Sequence, residues 1–224
     1  GMAPVPGDPD LKYLEAVYLQ QMARYEEALQ LCDELATEAG ARARGLRASI
    51  LMAQERFEEA EKAIRRQVEE RPDDPDALYL LAGYYHNIDE PERAIETLRR
   101  ILTDHPRHGA ANNDLGYTLA DRGERLDESR RRIRLALEET PDSAAYLDSM
   151  GWVLYKQGKL EQARVYLERS LLMDPYIDPV VYDHLGDTLA RLGRLEEAEK
   201  AYREARRVLE APDRAPQRED DRLR

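Results

Sequence analysis

The feature that most constrains this chain is an internal period of about 34 residues. Three series of residues share it. Prolines recur at spacings of 34, 35 and 34, at Pro72, Pro106, Pro141 and Pro175. One series of small residues comprises Ala16, Ala48, Ala82, Gly116, Gly151 and Gly186, and the other comprises Ala28, Ala60, Ala94, Ser129, Ala163 and Ala198. Such a period predicts similar units that stack, because one unit of this size cannot bury its apolar face alone.

Each period has the pattern of two short helices. In the fifth period, apolar and small residues lie at i, i+3, i+4 and i+7, namely Leu147, Met150, Gly151 and Leu154, which is one face of a helix. The segment KQGK then breaks the chain at Gly158, and a second helical face follows. We expect Gly151 and Ala163 to lie where the two helices approach, because larger side chains would push the helices apart. In the third period, Pro91 is expected in the first turn of its helix.

Composition and charge exclude several classes of protein. The formal net charge of -12 argues against a nucleic acid or an anionic membrane surface as the main partner. The single cysteine excludes an internal disulfide framework, and we expect Cys32 to be a buried, inert thiol. The sequence contains no apolar run long enough to form a transmembrane segment.

No constellation of residues indicates an enzyme or a cofactor site. The sequence lacks a nucleophile elbow, a phosphate-binding loop and a zinc-protease helix. Asp104, His105 and His108 lie around a proline, where no helix would fix the geometry of metal ligands. Asp183 and His184 are adjacent and do not face each other on a helix. The sequence therefore predicts no catalytic residue, no metal and no cofactor.

The segments YLDSMGWVLYKQGKLEQARVYLERSLLMDP and VYDHLGDTLARLGRLEEAEKAYREA carry the pattern of the tetratricopeptide repeat (TPR). The chain resembles that family from about Asp10 to Leu209. The resemblance implies an all-α fold, an alpha–alpha superhelix (solenoid) of about six TPR helical hairpins. The expected repeats are residues 10–40, 41–74, 75–108, 109–143, 144–178 and 179–211. Residues 1–9 are expected to be a flexible lead with a cloning remnant at Gly1 and Met2, and residues 212–224 a disordered charged tail.

A narrower resemblance concerns the later repeats. The segments NNDLGYTLAD, YLDSMGWVLYKQG and DHLGDTLARLGR resemble the last repeats of bacterial exported TPR proteins, many of them lipoproteins. This similarity bears on compartment and not on activity. It leaves open a periplasmic protein, or one anchored to a membrane through a removed N-terminal segment, beside a cytoplasmic one.

The family resemblance also implies a ligand surface, since TPR proteins bind ligands on the concave face that the first helix of each hairpin lines. Asp148 and Trp152 lie at i and i+4 on one helix face. Around the helix axis, Trp152 lies roughly 140° from Leu147. The equivalent positions in other repeats form what we call the polar–aromatic stripe. It comprises Tyr79, Asn113, Asp114, Tyr117, Asp148, Ser149, Trp152, Tyr155, Asp183, His184 and Asp187.

The polar–aromatic stripe has two interpretations. In the first, it is a groove for a peptide or protein segment. Aromatic rings supply contact area, Asn and Asp side chains bond an extended main chain, and the acidic side chains favour a cationic ligand. In the second, the same residues pack between repeats, with Trp152 between Tyr117 and His184. The two interpretations are compatible.

Two functions follow from the sequence. The leading one is a non-enzymatic scaffold that binds a peptide or protein segment in the concave groove. The alternative is the TPR region of a larger protein, which mediates self-association or packs on a missing domain. A homodimer through the last repeat stays open, because the C-terminal edge lacks a clear polar capping helix.

Overall fold

A computed structural model describes residues 8–35, 40–174 and 178–210, and every regular element in those ranges is an α-helix. The helices are α1 (Pro9–Gln21), α2 (Tyr25–Glu34), α3 (Gly40–Ala53), α4 (Phe57–Glu70), α5 (Pro75–Asn87), α6 (Pro91–Asp104), α7 (Gly109–Asp121), α8 (Leu126–Glu139), α9 (Ala144–Lys156), α10 (Leu160–Met173), α11 (Val180–Arg191) and α12 (Leu195–Glu210). Residues 1–7 of the predicted lead lie outside the described residues. So do Pro175 and the whole predicted tail.

The chain divides into two compact units, the N-terminal unit (residues 1–101) and the C-terminal unit (residues 102–224). In the N-terminal unit, α1 pairs with α2 and α3 with α4, and α5 packs on both α3 and α4. In the C-terminal unit, the hairpins are α7–α8, α9–α10 and α11–α12. Here α9 also contacts α7 and α8, and α11 contacts α9 and α10. Within the two units, helices α3, α5, α9 and α11 are therefore each covered by the preceding hairpin. This is the stacked all-α fold that the sequence predicts.

Side-chain caps fix where several first helices begin. The Asp74 carboxylate accepts hydrogen bonds from the main-chain N–H groups of Asp76 and Ala77, and Pro75 occupies the first position of α5. A proline costs little there, because its missing N–H has no partner within the helix. Asp8 caps α1 in the same way, so this helix begins at Pro9, inside the range predicted as a flexible lead. The prediction that Pro91 begins a helix is confirmed for α6.

The small residues at the helix crossings have the predicted steric role. A Cβ atom added to Gly151 would lie 2.5 Å from Leu167 Cγ and 3.3 Å from the main-chain oxygen of Ala163. Ala163 itself is fully buried. In α11, a Cβ on Gly186 would collide with the ring of Tyr202. The helices of the α9–α10 and α11–α12 hairpins therefore approach closely because these positions carry small side chains.

The turn inside each hairpin contains a residue with positive φ. Glycine fills this position in the C-terminal unit, at Gly123, Gly158 and Gly193, whereas Ala23, Glu55 and Asp89 fill it in the N-terminal unit. The left-handed region costs an L-residue about 1–2 kcal/mol, and glycine escapes that cost. The N-terminal unit therefore carries this strain at three turn residues, whereas the described part of the C-terminal unit carries it at one, Arg125 before α8.

Replacing Glu55 by glycine is expected to stabilise the N-terminal unit by roughly 0.5–1 kcal/mol, since φ at this residue is 58°. The reverse exchange, Gly158→Glu, should destabilise the C-terminal unit by about 1 kcal/mol. Urea unfolding followed by circular dichroism measures both. If both variants changed the stability of their units by the same amount in the same direction, the effect could not come from the left-handed backbone conformation.

The predicted burial and inertness of Cys32 are explained by its surroundings in α2. The side chain is 2% exposed. Burial raises the pKa of the thiol to about 11, with a smaller contribution from the Asp33 carboxylate. The thiol therefore stays protonated at neutral pH, and the protonated form is a poor nucleophile.

Candidate functional site

Helix α9 is buried on almost all of its sides. Residues 147–154 are all buried, including the polar Asp148 and Ser149. Helix α10 covers one side of α9, and α7 and α11 contact it as well. Trp152 is only 9% exposed and lies in a core cluster with Ala120, Ile133 and Val153. Much of the face that the sequence analysis assigns to a ligand is thus occupied by neighbouring helices.

Trp152 joins three first helices. Its ring stacks on His184 of α11, with centroids 4.0 Å apart and an interplanar angle of 17°, and on Tyr155, at 4.9 Å and 8°. Its indole Nε1 donates to Asp121 Oδ1 at the end of α7, at 3.2 Å. Lys156 completes the arrangement: Nζ lies 4.6 Å from the Trp152 ring centroid and donates to the Asp121 main-chain oxygen at 2.9 Å. Trp152 thus packs between repeats, with His184 stacked on it and Tyr117 packed against the same core cluster.

A buried pair of side chains lies beside this stack. His184 Nδ1 and Asp148 Oδ1 are 2.9 Å apart, and the two residues are 5% and 7% exposed. Which of the two atoms donates in this contact depends on the tautomer of the imidazole. The acid adjacent to His184 in the sequence is Asp183, but its partner in the structure, Asp148, lies 36 residues earlier, one repeat away.

Two tyrosines flank the stack with perturbed hydroxyl groups. Burial raises the pKa of Tyr117 to about 12, and the nearby Asp121 and Asp148 carboxylates add to the effect. Burial likewise raises the pKa of Tyr202 to about 12, assisted by the hydrogen bond that its hydroxyl donates to Asp187 Oδ1 at 2.7 Å. Both phenols therefore stay protonated throughout the physiological pH range.

The structure separates the polar–aromatic stripe by exposure. The buried members are Asn113, Asp148, Ser149, Trp152 and His184. The half-buried members are Tyr79, Asp114, Tyr117, Tyr155 and Asp187, and Asp183 is exposed. Tyr79 belongs to the N-terminal unit, whereas the other ten residues belong to the C-terminal unit. We call the accessible members of the C-terminal unit the rim: Asp114, Tyr117, Tyr155, Asp183 and Asp187.

Asn113 has an unused acceptor. Its Nδ2 donates to Asp114 Oδ1 at 3.1 Å, which fixes the orientation of the amide, because a carboxylate oxygen cannot donate. Asn113 is 7% exposed, and among the described residues its Oδ1 is a buried atom without a hydrogen-bond partner. A buried acceptor without a partner is costly.

Cations and hydrogen bonds offset part of the acidity that the sequence analysis assigns to the stripe. Asp148 bonds His184, and Asp187 accepts from Tyr202. The Arg191 guanidinium lies 4.6 Å from the Tyr155 ring centroid and donates to the Tyr155 main-chain oxygen at 3.2 Å. The surroundings of the rim thus carry both signs of charge.

Tyr202 is the residue of this region that the sequence analysis missed. It lies on the second helix of its hairpin, outside the first-helix positions to which the stripe was assigned. The sequence contains a signal for it. At the equivalent position the two preceding repeats have the aliphatic residues Ile133 and Leu167, whereas this repeat has a tyrosine. An aromatic ring opposite Gly186 indicates that the ring fills the space over that glycine.

None of the helices in the described part of the chain has both the length and the apolar character needed to cross a bilayer. In the same ranges, no group of three His, Cys, Asp or Glu side chains has the geometry to hold a metal ion.

Two family models, both described as tetratricopeptide repeat, match most of the chain. One matches residues 19–84 and 51–113, and the other matches residues 87–144 and 149–217. A TPR repeat-containing protein of Pseudomonas aeruginosa is 36% identical over 172 residues, which are 75% of this chain and 29% of that protein. The type IV pilus assembly protein PilF of the same organism is 29% identical over 119 residues, 52% of this chain and 47% of that protein. The chain thus spans less than half the length of these two curated relatives.

Solved structures agree with the fold. The type IV pilus biogenesis factor PilW superposes with a TM-score of 0.67 at 25% identity, over 76% of this chain and 78% of that chain. A TPR protein of Parabacteroides merdae gives a TM-score of 0.64 at 13% identity, over 89% of this chain and 79% of that chain. The second likeness bears on the fold alone. With its repeat period, its stacked helical hairpins and its matches to two repeat models, the chain belongs to the tetratricopeptide repeat family.

Proposed function

We propose that this chain is a non-enzymatic scaffold that binds an extended peptide segment along α7, α9 and α11 of the C-terminal unit. TPR proteins are generally protein-interaction scaffolds. The finer assignment to these three helices rests on the polar–aromatic stripe and on the contacts that hold it.

One observation carries the proposal: contacts through Trp152 join the three first helices α7, α9 and α11. Asp121 of α7 bonds Trp152 of α9, and Trp152 stacks on His184 of α11. A surface whose floor is fixed by such contacts loses little conformational entropy when a ligand binds. The buried members of the stripe therefore support the rim and are not its contact surface.

The rim has the groups that an extended peptide needs. Tyr117 and Tyr155 are half-buried and offer rigid aromatic area. The carboxylates of the rim can accept main-chain N–H groups of an extended ligand, and the rim side chains would set any sequence preference.

The acidic members of the rim favour a cation on the ligand. Asp183 is exposed, and Asp114 and Asp187 are half-buried. Carboxylates this accessible contribute modestly, and their contribution weakens with salt. We expect them to select among ligands and to accelerate association more than to determine affinity.

The test is a peptide titration followed by Trp152 fluorescence, with Lys- or Arg-containing peptides compared with neutral and acidic ones of equal length. Asp183→Asn is expected to weaken binding of the cationic peptides about threefold to tenfold at low salt. Asp183 is exposed, so this variant should retain its fold. Glu138→Gln, an exposed acid on the second helix α8, is the matched control and should bind normally.

Two results would overturn the proposal. One is a library in which no peptide of any charge changes Trp152 fluorescence or produces heat on mixing. The other is an equal loss of affinity in Asp183→Asn and Glu138→Gln, which would place the ligand outside the rim. Circular dichroism of both variants distinguishes loss of binding from loss of fold.

A further inference from the structure

The C-terminal unit contains a cleft between two of its second helices, which we call the α8–α10 cleft. It has a volume of about 360 Å³, with α8 and α10 as its walls and Met150 and Leu154 of α9 as its floor. Around the axis of α9, each of these two floor residues lies roughly 160° from Trp152. A ligand in the α8–α10 cleft would therefore contact a surface separate from the rim.

The inside of the α8–α10 cleft is apolar. Met150 and Leu154 are 5% and 3% exposed, and Leu137 of α8 and Tyr166 of α10 pack against the same core cluster. These two wall residues are half-buried, so part of each side chain faces the cleft. A cleft of this volume is at the small end of ligand pockets, and its lining suits one large apolar side chain.

Arginine side chains stand at the mouth of the α8–α10 cleft. Arg130 and Arg134 both line it, and both are exposed. They lie at i and i+4 on α8, where two like charges repel each other. Glu138 lies 3.8 Å from Arg134, whereas Arg130 forms no ion pair with any described residue. The mouth is thus a cationic edge on an apolar cleft.

Other second helices carry an ion pair at the equivalent positions. Counted from the recurring small residue, Arg130 and Arg134 correspond to Glu61 and Arg65 in α4, to Arg164 and Glu168 in α10, and to Glu199 and Arg203 in α12. The three pairs are joined at 2.6, 2.7 and 2.6 Å. Helix α8 departs from them because a second guanidinium replaces the carboxylate. A carboxylate from a ligand would therefore supply the charge that these three helices supply internally.

We propose that the α8–α10 cleft binds an acidic peptide segment of a partner protein. One large apolar side chain of the segment enters the cleft, and flanking Asp or Glu side chains pair with Arg130 and Arg134. A guanidinium can bond a carboxylate through two parallel hydrogen bonds, and apolar anchors in pockets dominate the energy of many interfaces. The rim favours cations, so the two surfaces would select partners of opposite charge.

Fluorescence anisotropy of labelled peptides tests this proposal. Three probes of equal length carry a central Phe flanked by Glu, by Ser or by Lys, and a fourth carries Glu flanks around a central Ala. The Glu-flanked Phe peptide should bind about tenfold more tightly than the other three at low salt. Its affinity should fall as salt is added, because the arginines are exposed.

Exposed residues of α8 provide the charge variants. Arg130→Glu is expected to weaken binding of the Glu-flanked Phe peptide about tenfold or more. Arg131→Glu is the matched control, because this exposed neighbour lies roughly 100° further round the helix and the change in charge is identical. It should weaken binding far less. Glu138→Gln should strengthen binding severalfold, because it removes the acid that competes for Arg134.

A second pair of variants tests the apolar part of the α8–α10 cleft. Gln162 is exposed and lines the cleft, so Gln162→Trp should fill it and weaken binding about tenfold. Val165, one turn further along α10, is 53% exposed and does not line the cleft, so Val165→Trp should bind normally. Circular dichroism of every variant distinguishes loss of binding from loss of fold.

Three results would overturn the proposal. The first is the absence of binding by any of the four peptides. The second is equal affinity for the Glu-flanked Phe and Ala peptides, which would mean attraction by charge alone. The third is an equal loss in Arg130→Glu and Arg131→Glu. Asp183→Asn should leave binding of the acidic peptide unchanged, so failure here is distinguishable from failure of peptide binding at the rim.

Discussion

Replacing Trp152 by alanine is expected to lower the free energy of unfolding of the C-terminal unit by about 3–5 kcal/mol. The substitution removes a 9%-exposed ring that stacks on His184 and Tyr155. It also removes the donor to Asp121 and opens the buried His184–Asp148 pair to water. Each of these losses acts on the joints between α7, α9 and α11, so the whole unit should be affected.

Urea unfolding followed by circular dichroism measures this loss, and Trp152→Phe is the control. Phenylalanine keeps a stacking ring but donates no hydrogen bond, so its cost should fall to about 1–2 kcal/mol. A Trp152→Ala variant with nearly unchanged stability and abolished peptide binding would contradict the structural role. That result would make Trp152 itself a ligand contact.

Replacing Gly116 by alanine is expected to destabilise the C-terminal unit by about 1–3 kcal/mol. The new Cβ would lie 2.5 Å from Ile133 Cγ1 and 2.9 Å from the main-chain oxygen of Ser129. The second contact is with backbone, which no rotamer change can relieve. Helix α8 would have to move away from α7, and the hydrogen bond from Ser129 Oγ to the Gly116 main-chain oxygen would be lost or lengthened.

Gly83→Ala is the matched control for that experiment. Gly83 also lies inside a first helix, but a Cβ there has no neighbour within 4 Å. Alanine should stabilise α5 there by up to about 1 kcal/mol, through its higher helix propensity. In thermal unfolding, we expect Gly116→Ala to lower the melting temperature and Gly83→Ala to raise it. A stabilised Gly116→Ala variant would show that the hairpin tolerates a wider crossing.

The fold was predictable because each of its determinants acts locally and repeats. The 34-residue rhythm predicts hairpins, and the small residues locate the helix crossings, as the contacts of Gly151 show. Pro91 predicts the start of α6 correctly. The boundary at Asp8 was harder, because a short polar segment before Pro9 is typical of a lead as well as of a helix cap.

The candidate site was predictable only in part. Helical periodicity indicates correctly that Asp148 and Trp152 lie on one face of α9. It does not tell how far the neighbouring hairpins cover that face, since coverage depends on the packing of side chains from separate repeats. For the same reason, the pairing of Asp148 with His184 across 36 residues was missed. Which members of the stripe contact a ligand stays a proposal.

The burial of Cys32 makes it possible to follow the unfolding of the two units separately. The chain has one cysteine, in the N-terminal unit, and one tryptophan, in the C-terminal unit. A thiol reagent therefore reports opening of the first unit, while indole emission reports opening of the second. The natural sequence thus contains an independent chemical probe of each unit, and unmodified protein is enough to show whether the two units unfold together or in succession.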